Sequence, residues 1–278
     1  MFLTRIRVPP VVGHSPAFLK EAPRYFPLVG WIVGLISALF YLLGERFVSA
    51  DAGVLAAMVA GILVTGAFHE DGFADVCDGF GGGWTKEKIL EIMKDSRIGA
   101  YGAIGLLLLL GAKFILLKEL PAFTPSLEPM ASTGASSLVS EASATGFWTS
   151  APQNIFYDHR YVILAIICAH SLARLMPVLV MQAGTYAGLA DRSKSGVMTG
   201  QRMSAGGVIM AIVFALAPVA FLPWQYLLVT LPVLYATFEL NRYFKRWVGG
   251  YTGDCLGAIE QVSEIMVYLG FVLIFRYF

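Results

Sequence analysis

The residues best able to do chemistry sit in one short stretch, Phe68-His69-Glu70-Asp71-Gly72-Phe73-Ala74-Asp75-Val76-Cys77-Asp78-Gly79-Phe80-Gly81-Gly82-Gly83. Four carboxylates and a histidine fall between His69 and Asp78, in a chain with only 14% charged residues. Asp71, Asp75 and Asp78 are spaced i, i+4, i+7, which stacks them on one face of a helix. Three like charges on one face repel unless a cation sits between them. Hard carboxylate oxygens with no Cys or His cluster beside them suit Mg²⁺ or Mn²⁺ better than zinc. Asp71, Asp75 and Asp78, with Glu70, are therefore candidate metal ligands. His69 reads as a general base, a residue supporting the ligands, or an interfacial hydrogen-bonding group. Gly79 and the Gly81-Gly82-Gly83 run are expected to end the helix and to let backbone approach a ligand. A solvated acidic loop would explain the charge but not the helical spacing.

A second cluster follows in Lys94-Asp95-Ser96-Arg97-Ile98-Gly99. Lys and Arg grip phosphate, Arg through a bidentate fork, so Lys94 and Arg97 are candidate substrate contacts and Asp95 a further candidate ligand. A plain cationic membrane anchor would account for Lys94 and Arg97, but not for Asp95-Ser96 or the Gly99/Gly102 pair. His170 and Arg174 lie i, i+4 in an apolar stretch. A buried Arg there needs an anionic partner, either a protein carboxylate or a substrate phosphate. Arg192-Ser193-Lys194-Ser195-Gly196 is a short basic loop, and Gly249-Gly250-Tyr251-Thr252-Gly253-Asp254 is a Gly-rich turn. Asp254 is a candidate catalytic carboxylate, followed by Glu260 and Glu264 at i, i+4.

The elements that must position these groups are membrane helices. The 278 residues are 57% hydrophobic, against charged fractions near 25% in soluble domains, and the apolar residues come in long blocks. Seven candidate spans result: about 26–44, 52–68, 99–117, 161–183, 207–222, 224–240 and 260–276. Each approaches the length a helix needs to cross hydrocarbon. Pro218, Pro223 and Pro232 interrupt the pair within 207–240. The expected fold is all-α, a polytopic membrane helical bundle of about seven transmembrane helices forming one catalytic domain over 1–278. A Ser/Pro-rich loop at about 119–158 is expected outside the cytoplasm. Of the 20 Lys and Arg, only Arg46, Lys118, Arg160 and Arg276 fall on one side of such a bundle, with Lys113 and Arg174 inside spans. The remainder share the side that carries the N-terminus and the acidic cluster. Basic residues concentrate in cytoplasmic loops, so that side is expected to be cytoplasmic.

Other features exclude little. Cys77, Cys168 and Cys255 show no CxxC spacing, so neither a zinc site nor a disulfide framework is indicated. A net charge of +1 gives no argument for nucleic acid. No apolar segment of signal-peptide type precedes Pro9 and Pro10. The oligomeric state is open, a homo-oligomer included.

Carboxylates, a divalent ion and basic residues at one end of a bundle are the kit for phosphoryl chemistry. At these positions the chain resembles the cobalamin synthase family, the adenosylcobinamide-GDP ribazoletransferases. Phe68 to Gly79 and Glu91-Ile92-Met93-Lys94-Asp95-Ser96-Arg97-Ile98-Gly99 carry the resemblance. Ala173-Arg174-Leu175-Met176-Pro177-Val178, Thr252 to Ala258, Thr4-Arg5-Ile6 and Phe26-Pro27-Leu28-Val29-Gly30 support it. The segment 119–158 departs from it in length. The resemblance implies a Mg²⁺-dependent enzyme of the inner membrane. It implies condensation of adenosylcobinamide-GDP with α-ribazole, or its 5′-phosphate, with release of GMP. Asp71, Asp75 and Asp78, with Glu70 or Asp95, would hold metal on the pyrophosphate; Lys94, Arg97 and Arg174 would face phosphate; and a carboxylate or His69 would take the hydroxyl proton. Two rivals stand beside it. A CDP-alcohol phosphotransferase also uses an Asp-rich helix, but its Ala-Arg after Asp-Gly is missing here. A cation-coupled transporter would place its charges near the midplane on broken helices.

Overall fold

With no water to satisfy backbone groups, a long apolar run in lipid must bond internally and so becomes a helix. In the computed structural model, which describes residues 3–6, 16–120, 159–188 and 202–277, the chain is helical almost throughout. Segment 121–158 and the Arg192-to-Gly196 loop lie outside the described residues. A short α1 (Pro16–Glu21) and a 3-10 turn lead into α2 (Phe26–Phe47). There follow α3 (Ala50–Thr65), α4 (Phe68–Gly82), the short α5 (Lys86–Ile92), α6 (Ala100–Lys118) and α7 (Arg160–Ala183). Next come α8 (Ala205–Leu216), two 3-10 segments, α9 (Thr230–Val248) and α10 (Gly253–Tyr277). No strand forms among the described residues; Tyr186 and Tyr251 make an isolated parallel bridge.

Helices stand at all seven expected spans, but the count of seven is not confirmed. The stretch ending in α2, together with α6, α7 and α10, gives four helices long and apolar enough to cross a membrane. α3 and α4 pass only as a pair, bent by 89° at their break, which makes at most five. The 207–222 stretch breaks at Leu216, where Pro218 enters a 3-10 segment (Ala217–Phe221). The next stretch opens as another 3-10 segment (Trp224–Val229) before α9. α9 is amphipathic and carries Glu239, Arg242, Lys245 and Arg246 in its second half, so composition alone does not make it a span.

The core is organised around α7. Ala165, Cys168, Ala169, Ser171 and Ala173 are fully buried. Small side chains on several faces let neighbouring helices approach closely, as membrane interfaces favour. α2, α8 and α10 all pack against α7, and α4 and α6 pack on α10. α2 meets α7 at Gly30, where a Cβ would collide with the His170 carbonyl. Leu35, Leu39, Leu55, Leu63, Leu107 and Leu108 of α2, α3 and α6 are exposed, as lipid-facing positions require.

The elbow between α3 and α4 positions everything that follows. Gly66 (φ 72°) and Ala67 (φ 59°) both take the left-handed conformation, and Ala67 is the one non-glycine to do so among the described residues. That conformation costs a non-glycine residue ~1–3 kcal/mol, so the surroundings must hold it. The N-terminal segment supplies part of the hold: Arg5 donates its backbone N–H to the Val64 carbonyl at 2.8 Å, and its side chain lies over Gly66.

If the α2–α7 contact is as tight as this, Gly30→Ala should lower the thermal midpoint in detergent by an overpacking cost of about 1–3 kcal/mol. Gly111→Ala, whose new methyl meets no atom within 4 Å, should leave it unchanged or raise it. Equal midpoints for the two variants would contradict the packing.

Candidate active site

α4 carries the acidic stretch as one unbroken helix, so Asp71, Asp75 and Asp78 do lie along one side of it. The helix passes through Gly79 and ends at Gly82 with Gly83 as its cap, within the glycine run expected to end it. A helix turns about 100° per residue, and this divides the stretch between surfaces. Asp71 is exposed and Asp75 half-buried on the open side, whereas His69 and Glu70 are buried on the inner side.

α4 crosses α10 at very short range. A Cβ on Gly72 would lie 3.0 Å from the Asp254 Cα, and one on Gly257 would lie 3.2 Å from the His69 carbonyl. The absence of side chains at Gly72 and Gly257 therefore brings Asp254, at the first turn of α10, beside the open side of α4. Asp75 is repelled by Asp254 first, then by Asp71 and Asp78. Among the described residues, no cation lies within ion-pair distance of Asp71, Asp75 or Asp254. Hard oxygens that repel one another without a counter-charge fit Mg²⁺. That ion takes one or two protein carboxylates and completes its shell with water and substrate phosphate oxygens. The ligand atoms of these three carboxylates do not all converge within 4.8 Å, so any ion here would draw part of its shell from water and substrate.

The other candidates take different places. Asp78 accepts the backbone N–H of Gly99 at 2.7 Å through Oδ2 and that of Gly102 at 2.8 Å through Oδ1. It caps α6 and ties α4 to it, with its negative charge at the positive end of the helix dipole. This also explains the Gly99/Gly102 pair, since a Cβ at either position would strike the Asp78 carboxylate. Asp95 pairs with Arg97 at 2.6 Å and accepts its backbone N–H at 3.1 Å. These hydrogen bonds hold the Asp95 carboxyl down at about 2. Lys94 is exposed, and Arg97, just before the Asp78-bound Gly99, is 86% exposed. The acidic helix, the Lys94–Arg97 turn and Asp254 thus meet at one end of the bundle.

Arg174, expected to face substrate phosphate, is instead 2% exposed and paired with Glu260 at 3.0 Å. It also donates to the His170 carbonyl at 2.9 Å. Its anionic partner is a protein carboxylate, because α7 turns it towards α10 and away from the open aspartates. His69 follows it inward, its Nδ1 3.7 Å from Glu260 Oε2, which removes it from the position of a base at the open site. Glu70 accepts from Gln261 Nε2 at 3.2 Å and faces the same interior.

Sequence reasoning did not connect this interior. Lys113 of α6 donates to Gln261 at 2.6 Å and Glu264 at 2.8 Å, and Tyr268 donates to Glu264 at 3.1 Å. The available signal was charge inside apolar runs: Lys113 in one span, and Glu260 and Glu264 one turn apart in another.

Two substitutions separate cap from ligand. Asp78→Ala should cost about 1–2 kcal/mol of stability, the usual loss for a helix cap. Asp71→Ala, on the exposed side, should cost almost none. Thermal unfolding in detergent without Mg²⁺ reads both, and a stable Asp78→Ala protein would contradict the cap.

Comparison with known proteins agrees over nearly the whole length. The family described as cobalamin-5-phosphate synthase matches residues 1–272. An adenosylcobinamide-GDP ribazoletransferase of Leptospira interrogans is 35% identical over 277 residues, covering 97% of this chain and 91% of its own. One from Vibrio cholerae is 36% identical over 272 residues, covering 96% and 89%. One from Shewanella pealeana is 38% identical over 271 residues, covering 96% and 90%. No solved structure matches.

Proposed function

We propose that this chain, which belongs to the cobalamin-5-phosphate synthase family, joins adenosylcobinamide-GDP to α-ribazole or its 5′-phosphate and releases GMP. It is a transferase of cobalamin synthesis built as a membrane helical bundle. That membership takes the ground from the CDP-alcohol phosphotransferase and transporter readings.

The single observation that carries the chemistry is the α4–α10 crossing, which sets Asp254 against Asp75 and Asp71 with no described cation to balance them. These three carboxylates would hold Mg²⁺. Bound there, the metal would offset negative charge on the pyrophosphate. The chain's own residues do the rest. Lys94 and Arg97, exposed beside the aspartates, draw the anionic phosphates to this end of the bundle. Arg97 exchanges Asp95 for a phosphate oxygen as substrate arrives, since both groups are presented to solvent and a guanidinium binds either bidentately. A ribazole hydroxyl attacks the phosphorus that carries the cobinamide arm. The new P–O bond forms as the bond to the GMP oxygen breaks, and the hydroxyl proton passes to a carboxylate of the same face. GMP leaves with the electron pair of the broken bond.

The cytoplasmic (inner) membrane is the proposed location, with the N-terminus and the aspartate end inside. Charge distribution supports this. Lys86, Lys88, Lys94 and Arg97 stand at the aspartate end, and the α9 terminus joins them where Gly249 meets the Lys86 ammonium. At the far end Lys118 and Arg276 are each paired, with Asp51 and Glu119. Basic side chains are therefore denser on the side assigned to the cytoplasm.

Asp75→Asn tests the reading. Purified in detergent with Mg²⁺, the variant should stay folded while GMP release from adenosylcobinamide-GDP falls roughly 10²–10³-fold or more. EDTA should abolish release by the unsubstituted protein, and added Mg²⁺ should restore it. Near-normal release from the variant would refute the assignment.

A further inference from the structure

The buried interior behind the aspartates poses a charge problem of its own. α4, α6, α7 and α10 send Glu70, Lys113, His170, Arg174, Glu260 and Glu264 into one space, with His69 beside them. All seven are at least nine-tenths buried. Lys113 lies well inside α6, and Glu260 and Glu264 two to three turns inside α10. Charges at such depth are costly unless balanced.

Lys113 and Arg174 bring two positive charges to a space that three carboxyl groups share, Glu70, Glu260 and Glu264. With all three ionised, one negative charge is left for a proton or a cation to meet.

Oxygen atoms are left over as well. Glu70 Oε2 and Ser37 Oγ have no hydrogen-bond partner, although Glu70 is 8% and Ser37 1% exposed. Both residues line the same cavity of about 20 Å³, with His170, Glu260 and Glu264 around it. His170, Glu260 and Glu264 bring ligand atoms within 4.8 Å of one another, and they are the one group that does so among the described residues. A cavity of that size holds one small occupant.

We infer that this cavity is a site for a single small monovalent cation, of the Na⁺ class, held by Glu70, Ser37, Glu260 and Glu264. Water would satisfy the orphan oxygens but leave the charge, and a proton on one glutamate would remove the charge but leave the Ser37 hydroxyl without a partner and the cavity unfilled. A divalent ion would overshoot the deficit beside Lys113 and Arg174. One monovalent ion closes both accounts, and carboxylate and hydroxyl oxygens are hard ligands suited to it. Because Glu70 belongs to α4, the ion would also bind the inner side of that helix to α7 and α10. The site differs from the one proposed for Mg²⁺: Asp71 and Asp75 face the opposite, open side of α4.

Binding of ²²Na⁺ to the full-length protein in detergent, with EDTA present, tests this apart from any divalent site. The expected result is saturable binding of one ion per chain and a thermal midpoint that rises with NaCl but not with choline chloride at equal ionic strength. Glu70→Gln keeps the shape, removes the surplus charge and should abolish both responses. Ser37→Ala, which removes one ligand but no charge, should weaken binding and right-shift the midpoint response while the protein stays folded. Asp75→Asn should bind ²²Na⁺ as the unsubstituted protein does. Equal midpoints in Na⁺ and choline without saturable binding, binding that survives Glu70→Gln and Ser37→Ala undiminished, or binding lost in Asp75→Asn would each overturn the inference.

Discussion

The close approach of α4 to α10 is the contact on which the rest depends. Gly72 and Gly257 remove the side chains that would hold the two helices apart, and in lipid such small-residue contacts replace the hydrophobic force that drives packing in water. Everything functional is placed relative to that crossing. On its open side stand Asp71, Asp75 and Asp254; on its inner side Glu70 and His69 meet Gln261 and Glu260. The elbow at Gly66 and Ala67 aims α4 at the crossing, and the Asp78 carboxylate, through Gly99 and Gly102, locks its far end to α6. A one-residue change in α4 register would rotate every carboxylate by about 100° and dissolve both groupings.

The protein manages charge in two distinct ways. Inside the bundle, the two cations are paired: Arg174 with Glu260, and Lys113 with Glu264 and Gln261. Those pairs are retained at a desolvation cost, and they fix which faces of α6, α7 and α10 must meet. At the end of the bundle, the aspartates are left without described cations, and Lys94 stands free of any described carboxylate. Unspent charge of both signs at one accessible end suits a substrate that brings phosphates, and a metal that bridges them.

Much of this was legible in the residues because it is local. The i, i+4, i+7 spacing of Asp71, Asp75 and Asp78 needs only helix geometry, and the long apolar runs around Leu35, Leu107 and Ile166 need only composition. What local pattern lacks is the partner. Nothing near Asp78 says that its oxygens will meet the first turn of α6, and nothing near Arg174 says that Glu260, on another helix, will turn towards it. The spacing groups Asp78 with Asp71 and Asp75, yet packing gives it a structural bond. Glu70 and Asp71 are neighbours in sequence and part company by one helical step. The span count suffers from the same limit: 3-10 segments at Pro218 and after Pro223 break the 207–240 region, while Pro232 sits in the first turn of an unbroken α9, and the disposition of these pieces depends on the bundle they lie against.

The central claim is that Asp71, Asp75 and Asp254 together form a divalent-ion site. Electron paramagnetic resonance of Mn²⁺ titrated into the purified protein reads this without turnover. The account predicts tight Mn²⁺ binding, displaced by Mg²⁺, that is lost when either Asp75 or Asp254 is changed to Asn and persists in Glu70→Gln. Mn²⁺ binding unchanged in both aspartate variants would contradict it.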